Sequence, residues 1–439
     1  MNKNFLTSRP ERLSYAGYFV GQNIAFMFVL SFLTLFYTDV VGLSTGAVAT
    51  LFLVARVWDA INDPILGAIV DRTTPKKGKF KPWISATIIA MPVATILVFW
   101  NIKGSGTVNL TYAYITYIIW GMIYTISDVP IFALATSMTD RVDERVTLIS
   151  WGRLAAGLAG MIAAALGAPL VANMGFSTTI IVLMIIALLT MAPIHFLAKE
   201  RVLHPQKDKV TLKSMINAVI KNKYLMIFYL SFIVIGGSNF AMTSGPYFAK
   251  WNLGNLELQG VLMITMIIPM LLLPMILPLL IRKFGKKKLY IYALSFGIIV
   301  AVIQFITGYD NLPLFLLLNV FKGAGAFLPM LMMGMFSADC AEYGAYITGK
   351  RNEGITFSIQ TFSSKLSTAI AGSLGVALLG FFGYDGMAAT QTEQALNGIW
   401  LQTTLFPIIG MFLGLIIFAL FYKLDEKQVQ NMIIQMEGK

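Results

Sequence analysis

The chain has 439 residues, of which 57% are hydrophobic and only 12% charged, with a mean hydropathy of +0.74. A soluble chain carries roughly 25% charged residues, so there are too few here to solvate one large globule or several soluble domains. Divided by the roughly 20 apolar residues of a spanning helix, the length allows about a dozen membrane spans, which excludes a soluble enzyme, a disulfide scaffold and a disordered regulator.

In chain order, Met1 to Tyr15 is polar, carries Lys3, Arg9, Glu11 and Arg12, and has no small-residue cleavage site. The first span is therefore expected to remain in the mature protein. Apolar runs of spanning length follow at 13–37, 45–70, 82–101, 109–138, 148–174 and 177–198. A polar interval runs from Lys199 to Lys223, and six more apolar runs lie at 224–248, 256–281, 289–308, 311–337, 354–382 and 397–422. The expected fold is an all-α membrane protein of twelve transmembrane helices in two six-helix halves. The halves are 1–198 and 224–422, joined by a cytoplasmic loop at 199–223 and followed by a cytoplasmic tail at 423–439.

The net charge of +12 would point to nucleic acid in a soluble protein, but here the charges sit between hydrophobic runs. Segments on the side of the N-terminus hold 27 of the 33 Lys and Arg residues, and the opposite side holds Lys103 and Lys250. By the positive-inside rule both termini face the cytoplasm, in a cell membrane. The expected surroundings are lipid, with no nucleic-acid partner and a monomeric chain. Basic turns also recur about half a chain apart: Gly67-Ala-Ile-Val-Asp-Arg-Thr-Thr-Pro-Lys-Lys-Gly-Lys-Phe-Lys-Pro-Trp83, then Leu280-Ile-Arg-Lys-Phe-Gly-Lys-Lys-Lys288. Two six-span halves related by an axis along the membrane normal form the major facilitator arrangement.

Charges left inside the spans carry the functional signal. They are Arg56, Asp59, Asp63, Asp128, Arg153, Lys322 and Lys365. Each costs about 2.5–3.5 kcal/mol at a helix centre on insertion scales, so such residues face the bundle interior and pair. Lys322 lies near a span end on this reading, where a lysine snorkels. The densest run is Ala55-Arg-Val-Trp-Asp-Ala-Ile-Asn-Asp-Pro64, whose Arg56, Asp59 and Asp63 fall on one helix face. Two carboxylates about 6 Å apart along that face repel unless a cation or a proton intervenes. Asn62 and Thr125 add the oxygens that a hard cation such as Na⁺ prefers. The alternative pairs Asp59 with Arg56 and Asp63 with a base on another helix.

The fourth span places Tyr124, Asp128 and Phe132 at one-turn intervals, a carboxylate for sugar hydroxyls between rings that stack on a pyranose. The alternative is a structural Asp128–Arg153 pair. Gln360, Thr361 and Lys365 supply donors from the second half. Gly152, Ala156 and Gly160 form a small-residue stripe for close helix approach. The single cysteine, Cys340, excludes an intramolecular disulfide. With no Walker loop, nucleotide fingerprint, nucleophile elbow or metal-ligand spacing, neither an enzyme nor a bound cofactor is expected.

These stretches resemble the glycoside–pentoside–hexuronide:cation symporters, the branch of the major facilitator superfamily that includes the melibiose carrier. The resemblance rests on the Ala55–Pro64 run, Phe36-Tyr-Thr-Asp-Val-Val-Gly-Leu43, Gly78-Lys-Phe-Lys-Pro-Trp83, Tyr124-Thr-Ile-Ser-Asp-Val-Pro130, Ala338-Asp-Cys-Ala-Glu-Tyr-Gly344 and Glu353-Gly354. It implies that Asp59 and Asp63 bind the coupling cation with Asn62 and Thr125 nearby. It also implies that Asp128 and Arg153 contact the sugar, and that Lys365 sits near both sites. Two positions depart from the melibiose carrier: Asn23 replaces an aspartate, and Phe132 replaces a tryptophan. The expected function is Na⁺- or H⁺-coupled import of a galactoside or pentoside. The alternatives are hexuronide:cation symport and an uncoupled sugar facilitator.

Overall fold

The computed structural model describes residues 5–72, 78–202, 220–348 and 353–437, and among these it is helical with no strand. The helices are α1 Arg9–Leu35, α2 Thr45–Arg72, α3 Lys81–Val98, α4 Gly106–Met138, α5 Val142–Met191, α6 Pro193–Leu197, α7 Lys223–Gly237 and α8 Ala241–Tyr247. They continue as α9 Leu258–Phe284, α10 Lys286–Thr307, α11 Leu312–Leu331, α12 Met333–Thr348, α13 Glu353–Phe381, α14 Glu393–Thr403, α15 Leu405–Phe421 and α16 Glu426–Glu437. Among the described residues, ten helical segments are long and apolar enough to cross a membrane. One of them, Asp143–Leu197, is 55 residues long but is broken at Gly175 (φ 74°), so it holds two helices. The charged α2 is not among the ten. Many large apolar side chains on these helices are exposed, including Leu189, Met275, Ile306 and Phe381. A lipid-facing helix exposes its apolar residues in this way.

The chain packs as two compact units. The first comprises Met1–Lys207 with Ala249–Gly260 and Gly383–Thr392, and the second comprises Asp208–Phe248, Val261–Phe382 and Glu393–Lys439. In the first, α1 begins with a capping box: Ser8 and Glu11 satisfy each other's backbone N–H, with Pro10 in the first turn. It then lies along α5, whose glycines receive its large side chains. A Cβ on Gly152 would fall 2.7 Å from Phe19, on Gly160 2.7 Å from Met27, and on Gly167 2.4 Å from Phe32. The small-residue stripe is thus a row of sockets. In the second unit, Phe228, Tyr290, Phe336, Phe418 and Tyr422 form an aromatic core, with Phe418 and Tyr422 stacked at 4.6 Å.

The backbone repeats itself. Positive φ occurs at Gly42 and Gly254, Gly78 and Gly285, Lys103 and Gly308, and Gly175 and Gly383, with 205–212 residues between the members of each pair. Both α1 and α8 run into a π-helical turn, Phe36–Val40 and Phe248–Asn252. Each turn is closed by the same bond, Leu43 N–H to Tyr37 C=O and Asn255 N–H to Ala249 C=O, both 2.9 Å. Carboxylates cap equivalent helices too: Glu200 accepts from the N–H groups of Lys79, Phe80 and Lys81 ahead of α3, and Glu426 accepts from Lys286 N–H at the start of α10. A negative charge at a helix N-terminus offsets the unpaired N–H groups there.

Lys322 is not at a span end. It lies ten residues into α11, about 15 Å along the axis, which is half the roughly 30 Å hydrocarbon thickness. It is 7% exposed, and its Nζ is 3.5 Å from the Thr403 carbonyl.

In the second unit α10 crosses α11 with backbone against backbone, and a Cβ on Gly325 would lie 2.3 Å from Gly297 Cα. Backbone cannot yield as a side chain does, so Gly325→Ala should cost about 1–3 kcal/mol. It should lower the thermal midpoint of the purified protein by several degrees. Gly46→Ala, with nothing within 4 Å of the added carbon, should leave the midpoint unchanged.

Candidate functional site

The first unit gathers polar groups on facing sides of α2 and α4. On α2, Arg56 Nη1 donates to Asp59 Oδ2 at 3.0 Å, and Arg56 Nη2 donates to the Tyr117 hydroxyl of α4 at 3.2 Å. The Arg56–Asp59 half of the alternative pairing is therefore present. Asp59 lies against Gly121, where an added Cβ would be 3.1 Å from Oδ1. The glycine leaves room for the carboxylate to reach α4. Gly121, Thr125 and Asp128 follow at spacings of four and three, so they share one face of that helix. Thr125 is buried, and so is Asn62, one turn beyond Asp59, whose Nδ2 has no hydrogen-bond partner among the described residues. The side chain of Asp63 lies outside the described residues.

The donor set therefore consists of a carboxylate, an amide and a hydroxyl on two adjacent helices, the oxygen chemistry that suits Na⁺. Among the described residues no group of three or more His, Cys, Asp or Glu could hold a metal ion.

Toward the other end of this face, Gln22 of α1 donates to Asp128 Oδ1 at 3.4 Å, while its own Oε1 has no partner among the described residues. Its neighbour Asn23 donates instead to the Phe19 carbonyl, one turn back on its own helix, at 3.0 Å. Gln22, rather than Asn23, thus touches the fourth-span carboxylate. Arg153 lies with its guanidinium 5.9 Å from the centre of the Phe132 ring. The ring of Phe132 also packs edge-on against Phe19 at 5.4 Å.

Tyr124 belongs to a stack that was not singled out in the sequence. Its ring lies 4.7 Å from Phe26 of α1 and 5.7 Å from Trp120, and Trp120 stacks on Tyr117 at 5.9 Å. Trp120 and Tyr117 lie four and seven residues before Tyr124, a spacing legible in the chain. Phe26 comes from another helix and was not. Below the stack, the Tyr18 hydroxyl bonds Ser127 and Thr87, both at 2.6 Å, fixing α1 to α3 and α4.

In the second unit, Gln360 on α13 accepts from Ser337 of α12 at 2.9 Å, and Ser337 is also bonded to the Tyr229 hydroxyl of α7. Thr361 and Lys365 are exposed on α13.

A family model described as MFS/sugar transport protein matches residues 15–426, and the chain belongs to that family. It is a multi-pass membrane transporter of the major facilitator type, not an enzyme. It is 33% identical to an uncharacterized symporter, YnaJ, of Bacillus subtilis (strain 168), over 98% of this chain and 95% of that one. It is 30% identical to an isoprimeverose transporter of Lactiplantibacillus pentosus, over 98% and 91% of the two chains. It is 27% identical to a glucuronide carrier protein homolog of Escherichia coli (strain K12), over 96% and 93%. In fold it matches the crystal structure of a bacterial homolog of the human lysosomal transporter Spinster, with a TM-score of 0.66, 12% identity and coverage of 98% and 99%.

The Arg56–Asp59 pair is testable as a unit. Arg56→Met leaves Asp59 without its guanidinium and should lower the thermal midpoint. Adding Asp59→Asn should restore much of the loss, with a coupling of about 1 kcal/mol or more in a double-mutant cycle.

Proposed function

We propose that this chain is a symporter that carries a neutral glycoside or pentoside into the cell together with a monovalent cation, Na⁺ or H⁺. The observation that carries the reading is the Arg56–Asp59 pair on α2, which lies against the α4 face that carries Gly121, Thr125 and Asp128. Charge in hydrocarbon is costly, and a coupling ion gives it a use. The similarity to an isoprimeverose transporter and to a symporter supports the same reading.

Cation bound at Asp59, Asp63, Asn62 and Thr125 neutralises α2. Sugar bound at Asp128, Arg153, Phe132 and the Tyr124 stack stabilises the loaded state. By linkage, each ligand strengthens binding of the other by the same free energy. Two six-span halves, twelve spans in all, then rock around the site, with both termini in the cytoplasm. Each positive charge carried in gains about 2.3 kcal/mol per 100 mV of membrane potential, enough for roughly fifty-fold accumulation.

A second reading, hexuronide:cation symport, is favoured by the likeness to a glucuronide carrier homolog and by Asn23, which removes a carboxylate that would repel an anionic sugar. The test is uptake into proteoliposomes of labelled methyl xyloside, methyl galactoside and methyl glucuronide, each with and without inward Na⁺ and H⁺ gradients. Gradient-driven uptake of a neutral glycoside is expected, and glucuronide-only uptake would replace the first reading by the second. Asp59→Cys should reduce gradient-driven accumulation at least tenfold. Normal accumulation by that variant would remove the cation site.

A further inference from the structure

The Phe36–Leu43 stretch carries an acid that the site does not use. Asp39 sits in the π-helical turn that ends α1, with its side chain 6% exposed. Lys250, in the equivalent π-helical turn after α8, forms an ion pair with it. The Tyr384 hydroxyl lies 2.8 and 2.9 Å from its two oxygens, and Thr38 Oγ1 donates to Oδ1 at 2.7 Å. The indole of Trp251 donates to the same Tyr384 hydroxyl at 2.9 Å, and Lys250 lies 4.5 Å over the Trp251 ring. Backbone approach is equally close: a Cβ on Gly386 would fall 2.4 Å from the Thr38 carbonyl and 2.9 Å from Asp39 Oδ1.

Both 249–260 and 383–392 come from the later part of the chain, yet they pack into the first unit around this one carboxylate. A π-helical turn is rare and frequently marks a functional site, and here two repeat-related turns carry opposite charges to one another.

We propose that Asp39 is the centre of a releasable latch: its carboxylate clasps the Lys250 turn and the Tyr384 loop onto the end of α1, and transport requires the clasp to open. That this end faces outward rests on the orientation proposed above. The binding of the two segments does not. An ion pair reinforced by two hydroxyl donors is suited to the task, since water entering the junction replaces every one of them.

Hydrogen–deuterium exchange on the purified full-length protein tests the clasp without any substrate. Asp39→Asn and Lys250→Met should each raise exchange about tenfold in 36–43, 249–255 and 383–392, with the remaining helices unchanged. Gly386→Ala should do the same without altering a charge. The swapped pair Asp39→Lys with Lys250→Asp should return exchange toward the original. Unchanged exchange in these segments, or a rise spread over the whole chain, would overturn the latch.

Opening is tested by a staple between Gly42→Cys and Met387→Cys, where a Cβ on Gly42 would lie 3.7 Å from Met387 Cγ. Each single cysteine serves as a control, in a Cys340→Ser background. Oxidation should cut uptake of whichever labelled methyl glycoside the unstapled protein accumulates to below a tenth, and dithiothreitol should restore it. Full uptake in the oxidised protein would overturn the moving part of the proposal.

Discussion

Within the hydrocarbon layer no water is at hand to complete a hydrogen bond or to screen a charge, so each polar group must be matched from inside the chain. Most are matched locally and do nothing further. The hydroxyls of Thr50, Thr190, Ser244 and Thr307 donate to the carbonyl one turn back on their own helix. Ser231 reaches the Gly414 carbonyl on a neighbouring helix at 2.8 Å. Against that background the α2–α4 face stands out. Together with Gln22 of α1 it gathers an ion pair, a second carboxylate and, among the described residues, the incompletely matched amides of Asn62 and Gln22 in the first unit. Polar capacity left over in hydrocarbon is destabilising unless a ligand uses it.

Packing and polarity are divided between different helix faces. The α1–α5 contact uses glycine sockets filled by Phe19, Met27 and Phe32. Such a seam holds by shape, so helices move together rather than sliding. The α2–α4 contact has the opposite character, since one glycine there makes room for a carboxylate. A transporter needs both kinds of contact: some that keep a unit rigid, and some whose strength changes when an ion or sugar arrives.

Much of this was legible in the chain. The spanning runs, the break between 174 and 177, the Arg56–Asp59 spacing and the glycine stripe all arise from periodicity and residue size, which are local properties. What escaped depended on partners far away in sequence. Asn23 and Gln22 are adjacent, and only the tilt of α1 decides that Gln22 meets Asp128 while Asn23 turns back on its own helix. Phe26 joins the Tyr124 stack from another helix, and Ser337 holds Gln360 from a third. Arg153 was expected to contact the sugar, with a structural pair to Asp128 as the alternative, and its guanidinium lies near the Phe132 ring. Lys322 was expected near a span end, where a lysine snorkels, and α11 carries it at the middle of the helix instead.

That depth bears on how the protein is made. Spans enter the bilayer as they leave the ribosome, and a lysine at the centre of one resists entry by about 2.5–3.5 kcal/mol. The carbonyl that Lys322 approaches belongs to Thr403, 81 residues later in the chain. When α11 is inserted, α14 has not yet been synthesised, so the amine must be sheltered by neighbours already in place or wait near the lipid headgroups. Biogenesis of the second unit is therefore completed only when its last membrane segment arrives, and truncation before residue 403 would leave a charged amine stranded in the membrane.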